Sequence, residues 1–342
     1  MIRRSRPRHD RSGFLDARVK PAHDNIKHEQ LSRPIVIDTA RTHASLAFER
    51  LIPVLRDAFI AGAETPLRHR HMLPDGALLL MPAWQDASAL GVKIVSVFPG
   101  NGKLGLTSVS STYLLCDGAT GQHLAIIDGS EITGRRTAAA SALAGSHLAR
   151  LDASSLLIVG AGHVASMMAD AWRAVRPIRR VRVWNIRAAR AAALANQLSK
   201  QGFDAAATDD LEAAVREAEI ISCATLATEP LVRGAWLRPG AHLDLIGAFK
   251  PDMRECDDEA LRRARVFIDT DAALTEAGDL VQPINAGTFA RDAIAGSLYT
   301  LCRNETPGRT GADEITLFKS VGSAIEDLAA ARLVYADAVK RA

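Results

Sequence analysis

The sequence predicts an α/β fold, in which a doubly wound parallel sheet is joined to a second, α+β domain. Between residues 138 and 312, short apolar strands alternate with helices, which is typical of parallel βαβ units. Between residues 65 and 128, short strands are separated by Gly- and Asp-containing turns, which indicates a mostly antiparallel sheet. The length of 342 residues also fits two domains, because single cores stop growing at about 250–300 residues.

The first domain is predicted to be discontinuous in sequence. A helical pattern over residues 39–62, with a break at Pro53, precedes the short strands. These strands are predicted at residues 77–81, 92–97, 108–115 and 124–127. The C-terminal stretch 313–339 is predicted to be a long helix that packs back on the strands. The substrate-binding and dimerisation domain therefore comprises residues 31–137 and 313–342.

The second domain, residues 138–312, is predicted to be built from βαβ units. Its strands are predicted at residues 156–159, 181–184, 220–223, 242–246 and 266–269. Its helices are predicted at residues 137–150, 164–175, 188–200, 211–218 and 257–264.

The composition indicates a globular, cytoplasmic protein. Hydrophobic residues make up 48% of the chain, and no apolar run reaches the roughly 20 residues that span a bilayer, so we expect no membrane partner. The cysteines are far apart and form no CxxC pair; they are Cys116, Cys223, Cys256 and Cys302. This spacing favours reduced core thiols over a disulfide framework or a zinc site, and we predict no metal.

Residues 1–30 form a basic tail with eight Lys or Arg and four Asp or Glu. The whole chain has a net charge of +3, so the part beyond the tail is close to neutral and gives no reason to expect a nucleic-acid partner. The tail lacks the apolar stretch of a secretory signal and contains acids that transit peptides avoid. We predict a disordered extension rather than an RNA-binding arm or a transit peptide.

A glycine-rich turn, Gly-Ala-Gly-His-Val-Ala, begins at Gly160, directly after the apolar run 156–159 and before a helix. This is the context that a dinucleotide-binding Gly-x-Gly-x-x-Gly/Ala turn requires. Gly160 permits the tight turn, and Gly162 lets the backbone approach a pyrophosphate. The N–H groups at the helix start, at His163 and Val164, face the anion. We therefore predict a Rossmann-type domain that holds a nicotinamide dinucleotide.

The end of the second strand of this domain bears on the choice of dinucleotide. NAD-binding domains usually place Asp or Glu about 20 residues beyond the glycines, whereas this chain has Asn185, followed by Arg187 and Arg190. Asn185 can donate a hydrogen bond and the arginines can pair with a 2′-phosphate. NADP(H) is therefore favoured over NAD(H), with a solvated helix face as the alternative for each arginine.

Several motifs in combination resemble the ornithine cyclodeaminase/μ-crystallin family. They are Lys93, the stretch 130–141, the glycine turn, residues 183–185, and residues 313–318 with 324–328. The resemblance extends from about residue 35 to the C terminus. It implies a Rossmann domain plus a discontinuous substrate domain, and homodimers that pair through the substrate domains.

The resemblance also implies the site residues. Arg68 and Arg136 match carboxylate-binding arginines, Lys93 matches the active-site lysine, Ser108 matches a small hydroxyl residue, and Thr137 lies near the cofactor phosphates. From the residues alone, Arg68, Lys93 and Arg136 also fit surface or loop positions. The expectation is a cationic trio that grips one small anion, with no acidic side chain available to activate water. Arg70 and Arg135 are predicted to be surface residues. His69 and His71 are predicted to be solvent-facing strand residues, with a proton-donor role as the alternative.

The residues after the fifth strand bear on the reaction. Cyclodeaminases of this family carry an aspartate two residues after the glycine that matches Gly247, and this chain has Phe249 there, which can neither accept a proton nor orient water. The pattern resembles the Δ1-pyrroline-2-carboxylate reductase branch. Phe249 is predicted to form an apolar wall against the substrate, with ordinary core packing as the alternative. Ala224, Thr225 and Gly247 are predicted to contact the cofactor.

The resemblance thus implies reduction of a cyclic imino acid, Δ1-pyrroline-2-carboxylate or Δ1-piperideine-2-carboxylate, to proline or pipecolate. Two alternatives stay open. One is an ornithine cyclodeaminase or alanine dehydrogenase activity within the same family. The other is a non-catalytic, NADP(H)-binding protein similar to μ-crystallin.

Overall fold

The structure, a computed structural model, describes residues 33–340. The predicted basic tail lies outside these residues. Within them, the chain forms two sheets, one of six strands and one of eight. The predicted α/β fold with a parallel sheet is confirmed.

The smaller sheet is mostly antiparallel, with the strand order β1-β6-β5-β4-β3-β2. Its strands are β1 (Ile35–Ile37), β2 (His69–Leu73), β3 (Gly76–Gln85), β4 (Ala89–Val97), β5 (Val109–Cys116) and β6 (His123–Asp128). Strand β1 pairs with β6 in parallel, and the other neighbours are antiparallel. The predicted strands correspond to β3, β4, β5 and β6, while the short strands β1 and β2 are additional.

Three helices accompany this sheet in the first half of the chain: α1 (Thr39–Ser45), α2 (Phe48–Ala61) and α3 (Gly129–Leu148). The predicted helix break at Pro53 is wrong, because Pro53 lies inside α2 and the chain breaks at Leu46 and Ala47 instead. Pro53 is exposed, so water can satisfy the carbonyl group that loses its helical partner. Asp128 is the N-cap of helix α3, and its carboxylate accepts a hydrogen bond from Glu131 N at 2.8 Å.

The larger sheet is parallel, with the strand order β13-β12-β14-β11-β10-β7-β8-β9. Its strands are β7 (Ser155–Val159), β8 (Arg180–Trp184), β9 (Asp204–Ala207), β10 (Ile220–Cys223), β11 (His242–Leu245), β12 (Arg265–Ile268), β13 (Ile294–Ser297) and β14 (Thr316–Lys319). The order reverses between β7 and β10, which is where ligands bind in open α/β sheets, outside the carboxyl ends of the strands.

The helices that follow these strands are mostly short. They are α4 (Ala165–Arg173), α5 (Ala188–Lys200), α6 (Leu211–Glu217), α7 (Asp258–Arg263), α8 (Ala273–Glu276), α9 (Gly278–Ala286), α10 (Leu298–Cys302) and α11 (Ala324–Lys340). Helix α11 packs against strands β3 and β4 of the smaller sheet and against helix α2, as predicted for the C-terminal helix. In the described part of the chain, no helix combines the length and apolarity needed to cross a membrane.

The prediction of one helix over residues 313–339 is wrong at its start. Residues Thr316–Lys319 form β14, which is buried on both faces between β11 and β12. A short apolar run that is buried on both faces shows no alternation, so periodicity does not distinguish it from a buried helix. The division into domains at residues 138 and 313 remains a prediction, and β14 is hydrogen-bonded within the larger sheet.

Candidate active site

The glycine turn after β7 forms the first wall of a crevice. Gly160 has φ +118°, and a Cβ atom there would lie 2.5 Å from the carbonyl oxygen of Ala224, so only glycine fits. At Gly162, by contrast, a Cβ atom would have no described atom within 4 Å. The first turn of α4, which follows Val164, has no side-chain cap. Open space beside uncapped backbone N–H groups is what a pyrophosphate requires.

Helix α3 borders the same crevice. A Cβ atom at Gly134 would lie 2.6 Å from His163 Nε2, so the imidazole ring of the glycine turn rests on the backbone of α3. Thr137 lies about one turn further along α3, where its hydroxyl donates to the carbonyl oxygen of Thr133 at 2.7 Å. The structure therefore places His163, on the glycine turn, and Thr137, on α3, on adjacent surfaces that border the crevice.

The end of β8 carries the residues that were predicted to face the ribose. Asn185 donates from Nδ2 to the carbonyl oxygen of Arg187 at 3.1 Å, so one of its two amide hydrogens is used within its own loop. Arg187 is the residue before α5, and Arg190 lies in the first turn of that helix. Both arginine side chains are exposed.

The loops after β10 and β11 are tied together by a carboxylate that the sequence did not point to. Glu255 accepts hydrogen bonds from Thr225 N at 2.8 Å, Gly247 N at 2.9 Å and Ala248 N at 3.1 Å. A Cβ atom at Gly247 would lie 2.1 Å from Thr225 N, so the two loops are in direct contact. Glu255 thus holds the predicted cofactor contacts Thr225 and Gly247 at the edge that carries the glycine turn, and Ala224 adjoins Gly160 there.

The charge of Glu255 is balanced inside the protein. Lys319 Nζ lies 3.7 Å from Glu255 Oε2 and donates to Asp279 Oδ2 at 2.8 Å. Asp279 in turn accepts from Glu255 N at 2.7 Å. All three side chains are buried, and a buried charge that is paired and hydrogen-bonded at several points resists displacement.

Lys93 and Arg136 converge on the first turn of α11. Lys93 Nζ donates to Asp327 Oδ1 at 2.9 Å, and Arg136 Nε donates to the same oxygen at 3.0 Å. Arg136 Nη1 also donates to Glu326 Oε2 at 2.8 Å. Lys93 is 1% exposed and Arg136 5%, so both cations are inside the protein.

Arg68 reaches the same region from the segment before β2. Its Nη2 donates to the carbonyl oxygens of Val321 and Gly322, at 3.2 and 3.1 Å. A Cβ atom at Gly322 would lie 2.2 Å from Arg136 Nη1. Both arginines therefore contact the loop before α11. The structure brings Arg68, Lys93 and Arg136 together.

The loop itself is anchored from beneath. The buried Asp269, which follows β12, accepts hydrogen bonds at Oδ2 from Ser320 Oγ at 2.9 Å and from the backbone N–H groups of Val321 and Gly322 at 2.8 Å each. These bonds fix the carbonyl groups that Arg68 uses. Asp269 is a further residue that the sequence did not point to.

The cationic trio also has acidic neighbours in the structure. Glu326 and Asp327 pair with Arg136 and Lys93, and Glu276 Oε2 lies 3.0 Å from Arg68 Nη2. A signal was present in the sequence, because Glu326 and Asp327 interrupt a helix that is otherwise apolar on most sides. A buried acidic pair in such a helix needs cationic partners.

Burial changes the protonation of this cluster. It lowers the pKa of Lys93 to about 8, with Asp327 opposing the effect and Arg136 adding to it. Burial raises the pKa of Glu326 to about 7, although Arg136 opposes this. Glu326 is therefore about half protonated near neutral pH and largely protonated in more acidic solution, where the three cations exceed the remaining carboxylates.

A cleft of about 350 Å³ opens beside the cluster, a size that suits a small molecule. Its wall includes Arg68, Met81, Thr270, Asp271, Ala272, Glu276, Ser297, Tyr299, Gly322 and Ser323. Lys93 lies behind this wall as the cross-strand neighbour of Met81, and Arg136 lies behind Gly322. Since several wall residues follow β12, β13 and β14, the cleft lies at the same sheet edge as the glycine turn.

Other residues singled out in the sequence lie elsewhere. Ser108 is exposed and precedes Val109, which pairs with Val97 on β4, about 13 Å along the strand from Lys93. The structure does not bring Ser108 to the cluster, because the register of β4 and β5 separates them. Phe249 is partly buried against the core of the larger sheet, and its role as a substrate wall stays a prediction.

The prediction that Arg135 is a surface residue is wrong. Its side chain is buried, with Nε donating to Glu131 Oε1 at 2.7 Å and Nη1 donating to the carbonyl oxygen of Leu46 at 2.9 Å. It also lies over the Phe48 ring. Arg135 thereby joins α3 to the junction of α1 and α2. The residues His69, Arg70 and His71 of β2 are exposed, as predicted.

Replacing Gly322 with alanine is expected to lower the free energy of unfolding by about 2–4 kcal/mol, because the new Cβ would combine left-handed backbone strain with a clash against Arg136. The backbone has φ +78° there, and the nearest guanidinium nitrogen would lie 2.2 Å away. Urea denaturation measures the loss. Gly311→Ala is the control, since its Cβ would meet an atom only at 3.9 Å. Equal stability of the two variants would contradict the proposed packing.

A dinucleotide-type crevice beside a small, cation-walled cleft defines a class of protein, the nicotinamide-dependent oxidoreductases. The chain belongs to the ornithine cyclodeaminase/mu-crystallin family, whose model matches residues 36–342. It is 44% identical over 257 residues to the Delta(1)-pyrroline-2-carboxylate reductase of Paracoccus denitrificans, which covers 75% of this chain and 81% of that protein.

Two solved structures share the whole architecture. The Thermococcus litoralis Delta(1)-pyrroline-2-carboxylate reductase in complex with NADH and L-proline superposes with a TM-score of 0.86 at 34% identity, covering 90% of this chain and 98% of that one. An archaeal alanine dehydrogenase dimer with bound NAD also has a TM-score of 0.86, at 27% identity, covering 90% and 97%.

Proposed function

We propose that this protein is a nicotinamide-dinucleotide-dependent reductase of cyclic imino acids, which converts Δ1-pyrroline-2-carboxylate or Δ1-piperideine-2-carboxylate to proline or pipecolate. The observation that carries the proposal is the convergence of Arg68, Lys93 and Arg136 beside a cleft. This cleft lies at the same edge of the larger sheet as the glycine turn. The similarity to proteins named Delta(1)-pyrroline-2-carboxylate reductase supports the same reaction.

The residues present fit a dinucleotide. Gly162 leaves the space that a pyrophosphate needs, and the first turn of α4 offers uncapped N–H groups. When bound, the reduced nicotinamide supplies a hydride to the imine carbon. Glu255 keeps the loops of Thr225 and Gly247 in place, and these loops would give a bound nicotinamide ring a fixed wall.

The substrate carboxylate is held on the cationic side of the cleft. Arg68 lies in the wall itself, while Lys93 and Arg136 lie behind Met81 and Gly322 and add positive potential there. Holding the carboxylate fixes the adjacent imine carbon. A hydride accepted at that carbon would move the C=N π electrons to the ring nitrogen, which already carries a proton, so the imine would become an amine.

An absorbance assay tests the reaction. Purified protein is mixed with NADPH or NADH and the cyclic imine, and the nicotinamide band is expected to disappear with formation of proline or pipecolate. No loss of absorbance with either cofactor would end the proposal. Release of ammonia from ornithine without net cofactor consumption would identify a cyclodeaminase instead, a reaction disfavoured by Phe249 at the position of the expected aspartate.

We further propose that NADP(H) is preferred over NAD(H), because Arg187 and Arg190 are exposed beside Asn185 at the end of β8. Replacing both arginines with alanine is expected to raise KM for NADPH about ten- to hundredfold, the loss of charge-assisted bonds to a phosphate. KM for NADH is expected to change little. Arg180→Ala, at the opposite end of β8, is the control. Equal changes for both cofactors would contradict the preference.

The outer face of the smaller sheet supports a homodimer. Val36 is 69% exposed, Ile94 39% and Ile126 36%, although each lies on a strand whose alternate residues are buried. A contiguous apolar sheet face in water marks an interaction surface, and the similar alanine dehydrogenase is a dimer. Sedimentation velocity is expected to find the dimer, and a monomer at micromolar concentration would contradict it.

We also propose a cytoplasmic location for the protein. The buried, unpaired cysteines support it.

A further inference from the structure

Glu276, the last residue of α8, places a carboxylate beside Arg68 in the wall of the cleft. Its Oε2 lies 3.0 Å from Arg68 Nη2, and the side chains are 21% and 17% exposed. Oε2 itself is inaccessible to solvent and accepts no hydrogen bond from any described residue, so the exposed part of the side chain is the rest of the carboxyl group and its stem. Arg68 Nη2 donates to the carbonyl oxygens of Val321 and Gly322. Glu276 is therefore close to a cation but not saturated by it.

The surroundings of Glu276 leave its charge incompletely compensated. Burial raises the pKa of Glu276, Asp269 adds to this, and Arg68 and Arg70 oppose it without cancelling it. The other acidic residue in the wall, Asp271, is exposed. Of the two carboxylates in the wall, Glu276 would therefore gain more from pairing with a cation that entered the cleft.

The cleft wall thus presents a guanidinium and a carboxylate side by side. A protonated α-imino acid carries its own charges in a matching arrangement, because the carboxylate and the ring nitrogen are separated by one carbon atom. The cationic trio complements only the carboxylate of such a molecule. An adjacent acid is needed to complement the nitrogen, since an unpaired cation in a half-buried cleft loses hydration without compensation.

We infer that Glu276 binds the protonated ring nitrogen of the substrate while Arg68 binds its carboxylate. This inference rests on the proposed function and adds a specificity determinant to it. Glu276 selects substrates with a cationic nitrogen next to the carboxylate and disfavours 2-oxo acids, which lack that charge. It also favours the protonated imine, the form whose carbon accepts a hydride.

Two ring ligands separate the roles of the two charges. L-proline and tetrahydrofuran-2-carboxylate share a five-membered ring and a carboxylate, but the second has an ether oxygen where proline has NH2+. Calorimetric titration into protein saturated with NADP+ measures both affinities. The unaltered protein is expected to bind proline about ten- to hundredfold more tightly, the range for a hydrogen bond between charged groups.

The variant Glu276→Gln is expected to remove most of this difference by weakening proline alone, because glutamine keeps the shape and loses the charge. Glu276→Asp, which keeps the charge at shorter reach, is expected to retain part of the preference. Glu305→Gln is the matched control and is expected to keep it fully, since Glu305 is exposed and is not among the residues of the cleft wall. Thermal melting establishes that each variant is folded.

The outcomes distinguish this inference from the function on which it rests. If Glu276→Gln weakens both ligands equally, Glu276 only positions Arg68, and the inference is overturned while the proposed function stands. A preference for proline that survives in Glu276→Gln overturns it in the same way. If the unaltered protein with cofactor binds neither proline nor the cyclic imine, the proposed function itself fails, and the inference falls with it.

Discussion

Replacing Lys93 with methionine is expected to lower kcat/KM for Δ1-pyrroline-2-carboxylate by about ten- to hundredfold, because a buried charge just behind the cleft wall attracts the substrate carboxylate through its potential. Lys93 is buried, and its Nζ is held by Asp327 Oδ1 at 2.9 Å, beside Arg136. Methionine fills a similar volume but carries no charge, so Arg136 becomes the remaining cationic partner of Asp327 among these residues. The cleft therefore loses positive potential. Initial rates of nicotinamide oxidation over a range of imine concentrations measure the change.

The matched control is Lys200→Met, which removes a lysine that is exposed at the end of α5 and is expected to change kcat/KM by less than twofold. Thermal melting of both variants separates loss of activity from loss of fold. A Lys93→Met enzyme that stays folded and keeps more than a tenth of the wild-type kcat/KM would refute the assigned role.

The pH profile offers an independent measurement of the same residue. Since the pKa of Lys93 is about 8, its ammonium group is charged below that pH and neutral above it. Proline binding by the protein–NADP+ complex is therefore expected to weaken as the pH rises through about 8. In Lys93→Arg, the guanidinium keeps its proton, and the decline is expected to move to higher pH. A decline at the same pH in both proteins would assign it to another group.

Replacing Gly162 with alanine is expected to weaken dinucleotide binding about ten- to hundredfold while leaving the stability of the cofactor-free protein unchanged. A Cβ atom at this position would have no described atom within 4 Å, so the fold accommodates the methyl group. A pyrophosphate that approaches the backbone would meet it, and overpacking by one methyl group costs about 1–3 kcal/mol. Fluorescence titration with NADPH and thermal melting without it measure the two effects.

Gly100→Ala is the control, because a Cβ atom there is equally free of described neighbours and Gly100 lies in the 3-10 helix Pro99–Leu104 between β4 and β5, not in the larger sheet that carries the glycine turn. It is expected to change neither measurement. Unaltered NADPH affinity in Gly162→Ala would show that the dinucleotide does not approach this turn. A large drop in the melting temperature of the cofactor-free variant would mean that the space at Gly162 is filled by protein.

Local patterns in the chain were sufficient to predict the fold class and the glycine turn. The alternation of apolar strands and helices, and the run from β7 through Gly160 to α4, involve residues close together in sequence. Their conformations follow from hydrophobic periodicity and from backbone geometry that only glycine adopts. Strand β14 was not predicted, because a short apolar run that is buried on both faces shows no hydrophobic periodicity.

The tertiary structure alone decided which charges meet. Lys93 and Asp327 are 234 positions apart and Arg136 and Glu326 are 190 apart, so no local pattern reports their pairing. Arg135 and Arg136 are neighbours on one helix, yet one binds α1 and α2 while the other binds α11. Successive helical residues point about 100° apart, and only the packing of other elements around α3 determines which partner each guanidinium finds.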